Sequence, residues 1–152
     1  MKEEQNQPLL CDCNPNECPV EGKCKEVGVI YQATVTIQNN LNNEIKKYIG
    51  LTGKSFKERY SKHISSFTVQ DPRNSTSLSK KISELTRKHI FYDIKWEIID
   101  KATPYKSGDK ECRLCIKEIF HILSQPEDLS LNSRQEFTSK CKHQNRFKLC
   151  NI

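Results

Sequence analysis

Two stretches of the chain alternate between apolar and polar residues and a third follows a turn, and each of the three predicts a β-strand. Residues 29–37 are rich in β-branched and aromatic types, with every second residue apolar. Residues 44–51 form a second stretch after an asparagine-rich turn, so the two together predict a hairpin. Residues 92–99 alternate in the same way and predict the third strand.

In three other stretches, apolar residues recur every three or four positions, which predicts helices. The first begins after Ser55, which can form a capping box with Glu58. Ser77 is the expected N-cap of the second, and Asp109 that of the third, which covers about Lys110 to Ser124. The order strand, strand, helix, helix, strand, helix predicts an α+β fold in which helices flank a small, three-stranded, mainly antiparallel sheet.

The length of 152 residues suits one hydrophobic core with appendages. No stretch approaches the roughly 20 apolar residues that cross a bilayer, and the first residues lack the apolar core of a secretory signal. We therefore expect an intracellular protein, not secreted and without a membrane partner.

Basic residues outnumber acidic ones by 25 to 19, a net charge of +6, which is compatible with a polyanionic partner. They concentrate in two patches, although ordinary solvated charge explains such patches equally well. The patches are Lys46, Lys47, Lys54, Lys57, Arg59 and Lys62, and Arg134, Lys140, Lys142, Arg146 and Lys148.

Eight cysteines in an intracellular chain indicate metal binding rather than disulfides. The loop-like residues 1–27 have little apolar packing, so a metal would organise them. Cys11, Cys13, Cys18 and Cys24 could form a closed tetrahedral zinc site alone. Alternatively, the last two of these cysteines are completed by ligands from further along the chain. The candidates for that completion are Cys112, Cys115, Cys141 and His143, although the first two could equally be buried helix residues.

Several side chains have the chemistry of a phosphodiester-cleaving site. Tyr31 and Tyr48 lie on the two hairpin strands, and Arg59 and His63 are one helical turn apart, so that both can approach one anion. Glu118 lies beside the apolar stripe of the last helix, where a carboxylate could bind a cation. Taken singly, each residue is more often structural than functional.

Together and in this order, the features resemble the GIY-YIG nuclease family over about Gly28 to Asn132. The first motif reads Val29-Ile30-Tyr31. Its partner Tyr48-Ile49-Gly50 is followed by Phe56-Lys57-Glu58-Arg59-Tyr60-Ser61-Lys62-His63, which is similar to the stretch that homing endonucleases carry at this place.

A closer resemblance is to the endonuclease end of Penelope-like retroelements, and it covers nearly the whole chain. That similarity is carried by three cysteine-containing stretches. They are Cys11-Asp12-Cys13 with Cys18-Pro19-Val20-Glu21-Gly22-Lys23-Cys24, then Cys112-Arg113-Leu114-Cys115-Ile116-Lys117-Glu118, and finally Lys140-Cys141-Lys142-His143-Gln144-Asn145.

The resemblance implies three regions: a Cys-rich, zinc-binding segment (1–27), a nuclease core (28–132) and a basic tail with cysteine and histidine (133–152). It also implies a DNA endonuclease that nicks a phosphodiester, working in the nucleus with an associated reverse transcriptase and its RNA. The rival hypothesis is a zinc-stabilised module that binds nucleic acid without cutting it. A third hypothesis is an interaction domain with no affinity for nucleic acid.

The resemblance also assigns roles. Glu118 would hold one catalytic Mg²⁺ or Mn²⁺ ion, and Arg59 would fork onto the scissile phosphate. Tyr31, assisted by Tyr48, would orient or deprotonate the attacking water, which requires a lowered phenol pKa. His63 would contact phosphate or shuttle a proton. Two further residues, Gly50 and Asn132, would act in positioning.

Overall fold

A computed structural model describes residues 11–14, 17–39, 41–68, 76–109 and 111–132. The predicted order of elements and the α+β class are confirmed. The elements are β1 (Val27–Ile37), β2 (Glu44–Ser55), α1 (Phe56–Thr68), α2 (Ser77–Arg87), β3 (Tyr92–Lys101) and α3 (Arg113–Ser124).

The three strands form one antiparallel sheet in the order β2-β1-β3. The predicted hairpin is confirmed: β1 pairs with β2 so that Tyr31 lies opposite Gly50 and Ala33 lies opposite Tyr48. Because side chains alternate between the faces of a strand, both tyrosines project from the same face. This register brings them together as diagonal neighbours.

The two faces of the sheet carry different helices. Val29, Tyr31, Ala33, Val35 and Ile37 of β1 form one hydrophobic cluster with residues of α1 and α2. The alternate residue Ile30 forms a second cluster, joined by Ile49 of β2 and by the first turns of α3. Hence α1 and α2 cover one face, and α3 covers the other.

Several predicted boundaries were wrong by a few residues. Thr76, not Ser77, is the N-cap of α2, and it forms the reciprocal capping box with Ser79. The third helix begins at Arg113 with Cys112 at its N-cap, whereas Asp109 accepts a bond from the Lys106 amide in the preceding loop. Adjacent hydroxyl residues explain the shift at α2, whereas the Asp109 carboxylate caps a turn instead of a helix, and Cys112 begins α3 without a side-chain capping bond.

A short segment after α3 runs along the free edge of β2. The Lys47 amide donates to the Leu129 carbonyl at 2.7 Å, and the Leu131 amide donates to the Lys47 carbonyl at 2.8 Å. Ser130 thereby pairs with Lys47 in a parallel bridge. This segment, residues 129–132, protects the outer edge of β2 and brings Asn132 beside the Tyr-Ile-Gly motif.

None of the helices in the described ranges has the length and apolar character needed to cross a membrane.

Candidate active site and metal centre

The phenol of Tyr31 is the centre of a buried polar cluster on the face covered by α1. Its Oη lies 2.6 Å from Nε2 of His63 and accepts a hydrogen bond from Nε of Arg59 at 3.2 Å. Tyr31 has no exposed surface, and His63 is 2% exposed. The helical spacing of Arg59 and His63 brings both side chains to the same phenol, as their separation of four residues predicts.

Gly50 provides the space for the Tyr31 ring. A Cβ atom at residue 50 would lie 2.3 Å from Oη and 2.4 Å from Cζ of Tyr31, far inside van der Waals contact. Since the two residues face each other across the hairpin, any larger residue at 50 would displace the phenol. The glycine of the Tyr-Ile-Gly motif is therefore a packing requirement of this site.

Burial controls the protonation of the cluster. It raises the pKa of Tyr31 to about 12, despite the opposing effect of the Arg59 guanidinium, and the negative charge of Glu118 adds to the rise. Burial, with the nearby Arg59 charge, lowers the pKa of His63 to about 3. The lowered phenol pKa expected for Tyr31 is thus wrong for this structure. At neutral pH the phenol is protonated and the imidazole is neutral.

These protonation states give each atom of the cluster a defined role. Arg59 donates to Tyr31 Oη, and the Tyr31 hydroxyl can donate to the unprotonated Nε2 of His63. The hydrogen bond of 2.6 Å therefore leaves the proton on Tyr31, because burial makes the His63 imidazole a much weaker base than the Tyr31 phenolate. The pair fixes the orientation of the phenol that accepts from Arg59.

Tyr48 completes the cluster beside Arg59 and His63. Its ring lies edge-on to the imidazole, with centroids 5.7 Å apart. Burial alone would lower the pKa of Arg59, but the phenolic oxygens of Tyr31 and Tyr48 raise it. The guanidinium is therefore held as a cation between two phenols, and it is the least buried of the four groups.

Asn132 acts on the backbone of β2. Its Oδ1 accepts from the Ile49 amide at 2.8 Å, and its Nδ2 donates to the Ile49 carbonyl at 2.8 Å. Both bonds are buried, and Ile49 lies between Tyr48 and Gly50 in the motif. The carboxamide thus makes the two hydrogen bonds to Ile49 that the backbone of a neighbouring strand would make, and it holds the motif in place.

Glu118 lies on α3, the helix that covers the other face of the sheet, and it is 8% exposed. Its charge nevertheless raises the pKa of Tyr31, so the carboxylate is within electrostatic reach of the phenol. In the described ranges it belongs to no group of three or more metal-ligating side chains. If a divalent ion binds here, Glu118 would supply one carboxylate to it.

The four N-terminal cysteines form a cluster that could hold a metal ion. The sulfurs of Cys11, Cys13, Cys18 and Cys24 all lie within 4.8 Å of one another. Cys11 Sγ is 3.2 Å and Cys13 Sγ is 3.9 Å from Cys24 Sγ, too far for a disulfide bond. Four sulfurs around one tetrahedral zinc ion would be about 3.8 Å apart. The cluster therefore could hold a metal such as zinc.

Of the four alternative zinc ligands, two lie in the second hydrophobic cluster and two lie outside the described residues. Cys112 and Cys115 are buried among apolar residues on the α3 face of the sheet, so they pack in the core there. Cys141 and His143 fall outside the described ranges, as do the basic residues of the second patch. Among the residues described, only the four N-terminal cysteines form a metal-binding group.

Sequence reasoning missed the aromatic packing around the site. Trp96 of β3 lies 6.1 Å from the Tyr31 ring and 5.5 Å from the His63 ring, measured between centroids, and Phe56 lies 5.5 Å from Tyr31. Alternation in the third strand indicated that Trp96 is buried, but not what it contacts. These rings exclude water, which is why burial dominates the two pKa shifts.

Comparisons of this chain with family models, with curated proteins and with solved structures found no match.

Proposed function

We propose that this chain is a divalent-metal-dependent DNA endonuclease of the GIY-YIG type, similar to the nuclease of Penelope-like retroelements. The observation that carries the proposal is the convergence of Tyr31, Tyr48, Arg59 and His63, from two strands and a helix, into one hydrogen-bonded and ring-packed cluster. Ordinary core packing explains one buried tyrosine. It explains less well a cationic guanidinium held between two phenols beside a neutral imidazole, and this supports a functional site.

In this proposal Arg59 binds the scissile phosphate. Its Nε donates to Tyr31 and the guanidinium also interacts with the Tyr48 phenol, so the remaining terminal N–H groups are those that would donate to phosphate oxygens. Exposed Lys54, Lys57 and Lys62 flank it and would attract the DNA backbone. Glu118 would hold the divalent ion, which when bound stabilises charge on the phosphate and the leaving oxygen.

Burial divides the roles of the two phenols. Tyr31 has no exposed surface, so we assign it to holding Arg59, with its own orientation fixed by the hydrogen bond to His63 Nε2. Tyr48, which keeps 8% of its surface exposed, is the phenol that would orient the attacking water. The neutral His63 accepts the hydrogen bond of Tyr31 and positions that phenol, because burial keeps the imidazole unprotonated and too weak a base to take the proton.

Nicking of supercoiled plasmid by the full chain with Mg²⁺ or Mn²⁺ tests the proposal. Glu118→Gln and Arg59→Ala should each lower the rate by about 100-fold or more, since each removes charge stabilisation of the transition state. Glu97→Gln is the matched control, because Glu97 is an exposed carboxylate on β3. Equal rates for Glu118→Gln and the control would refute the assignment.

The same samples separate the rival hypotheses. Retention of a labelled duplex without nicking would favour the non-catalytic, zinc-stabilised binding module. Absence of any salt-dependent DNA binding would favour an interaction domain instead. In the retroelement setting the nicked DNA would prime reverse transcription in the nucleus, with a reverse transcriptase and its RNA as partners.

A further inference from the structure

The Cys-rich segment is hydrogen-bonded directly to the beginning of α1. The Lys57 amide donates to the Cys24 carbonyl at 2.7 Å, and the Phe56 amide donates to the Glu26 carbonyl at 2.9 Å. Amides in the first turn of a helix have no partner within the helix and need a cap. Two of these amides are therefore capped by carbonyls of the last cysteine of the cluster and of the residue two places after it.

Side-chain packing strengthens this connection. Cys24 and Val20 belong to the same hydrophobic cluster as Phe56, the first residue of α1, and the other three cysteines pack against that cluster. Lys25 forms an ion pair of 2.7 Å with Asp12, which ties the two ends of the cysteine loop together. The metal-binding cluster and the N-terminus of α1 thus share one packed interface.

The candidate catalytic groups begin in the same helical turn. Arg59 follows Lys57 by two residues, and His63 lies one turn further along α1. Both side chains bond to Tyr31, so a shift of the helix start changes the distances in the cluster. A hydrogen bond of 2.6 Å between Tyr31 and His63 has little tolerance for such a shift.

We propose that metal binding to the four cysteines fixes the N-terminus of α1 and thereby sets the position of Arg59 and His63. Residues 11–24 contain few apolar side chains, so the metal supplies the cross-links that an apolar core would otherwise supply. Removing the metal releases the Cys24 and Glu26 caps. The consequence for cleavage rests on the proposed function, whereas the coupling between the cluster and the helix does not.

Amide hydrogen exchange on the zinc-loaded full chain, before and after chelation, tests the coupling without DNA. We expect exchange at Phe56 and Lys57 to rise at least tenfold on chelation, while central β1 amides such as Ala33 keep their protection. Trp96 is the only tryptophan and lies 5.4 Å from the ring of Tyr60 on α1, so its emission should shift as well. Unchanged protection at Phe56 and Lys57, or equal loss of protection throughout the sheet, would overturn the proposal.

A pair of variants at residue 57 tests the link without touching a cysteine. Lys57→Pro removes the amide that bonds to Cys24, in a first helical turn that tolerates proline. Lys57→Ala removes the same charge but keeps the amide. With zinc bound to both, exchange at Phe56 and Tyr60 should rise at least tenfold in the proline variant only.

Equal exchange in the two variants would reject the coupling. The outcome is also separable from the proposed function. If the chain never nicks DNA but responds to chelation, the coupling is supported and the nuclease proposal is rejected. If the chain nicks equally well with and without zinc and shows no exchange response, the nuclease proposal is supported and the coupling is rejected.

Discussion

Substituting Gly50 by alanine is expected to destabilise the fold through the Tyr31 ring. The added Cβ would lie 2.3 Å from Oη and 2.4 Å from Cζ, whereas ordinary contact needs about 3.5 Å. The phenol must therefore retreat by about 1 Å, and its hydrogen bond of 2.6 Å to His63 is lost.

The magnitude follows from two costs. Overpacking a filled core costs about 1–3 kcal/mol, and a lost buried hydrogen bond costs about 1 kcal/mol, so the unfolding free energy should fall by about 2–4 kcal/mol. Glycine in an ordinary strand interior is itself unfavourable by about 0.5–1 kcal/mol relative to alanine. Gly50→Ala is therefore expected to lower the unfolding free energy, whereas the same substitution at an unconstrained strand glycine would raise it.

Urea unfolding monitored through Trp96 emission measures the change, because this single tryptophan lies 6.1 Å from the Tyr31 ring. The control is the same substitution in a Tyr31→Leu background, where the clashing end of the ring is absent. There Gly50→Ala should be neutral or should stabilise the fold by up to about 1 kcal/mol, because a strand glycine is then replaced without a clash. Equal destabilisation in both backgrounds, or a stabilised Gly50→Ala single variant, would refute the packing argument.

Three further predictions concern pH and the β2 backbone. The pKa of His63 is about 3 in the folded state against 6.5 in the unfolded chain, so the unfolded state binds the proton first as the pH falls. The unfolding free energy should be full above pH 6.5 and should fall by about 2 kcal/mol by pH 5. Urea titrations of His63→Gln should not show this loss. Asp100, whose pKa is lowered to about 2 by its hydrogen bond to His121, should add a loss only between about pH 3.8 and 2, and Asp100→Asn should abolish that second phase alone. Asn132→Ala should cost about 2–3 kcal/mol in the same assay, because it leaves the amide and carbonyl of Ile49 without two buried bonds; a cost no larger than that of an exposed alanine substitution would contradict this.

The elements of the fold were predictable because their periodicities are strong. Alternation in β1 and β3, the turn before β2 and helical spacing in three further stretches predicted the type and order of every element. The ends were less predictable, since Thr76 and Ser77 are adjacent hydroxyl residues and only the fold decides which one caps α2. The pairing of Tyr31 with Gly50 was also out of reach, because a hairpin connection of six residues permits several registers.

The candidate site was predictable where spacing along one helix determines it. Arg59 and His63 lie on the same face of α1 because they are four residues apart, independently of the rest of the fold. The direction of the Tyr31 pKa shift was predicted wrongly, because it depends on rings contributed by Trp96 and Phe56 from distant positions. Long-range burial of this kind leaves no local signal in the sequence.

The location of residues 129–132 beside β2 has a consequence for synthesis of the chain. Asn132 holds Ile49 across a separation of 83 residues, so the Tyr-Ile-Gly motif gains its last support only after all three helices have left the ribosome. Contacts that span so much sequence form slowly. In a nascent chain that has already formed its hairpin, the amide and carbonyl of Ile49 therefore lack these two hydrogen bonds until residues 129–132 dock beside β2.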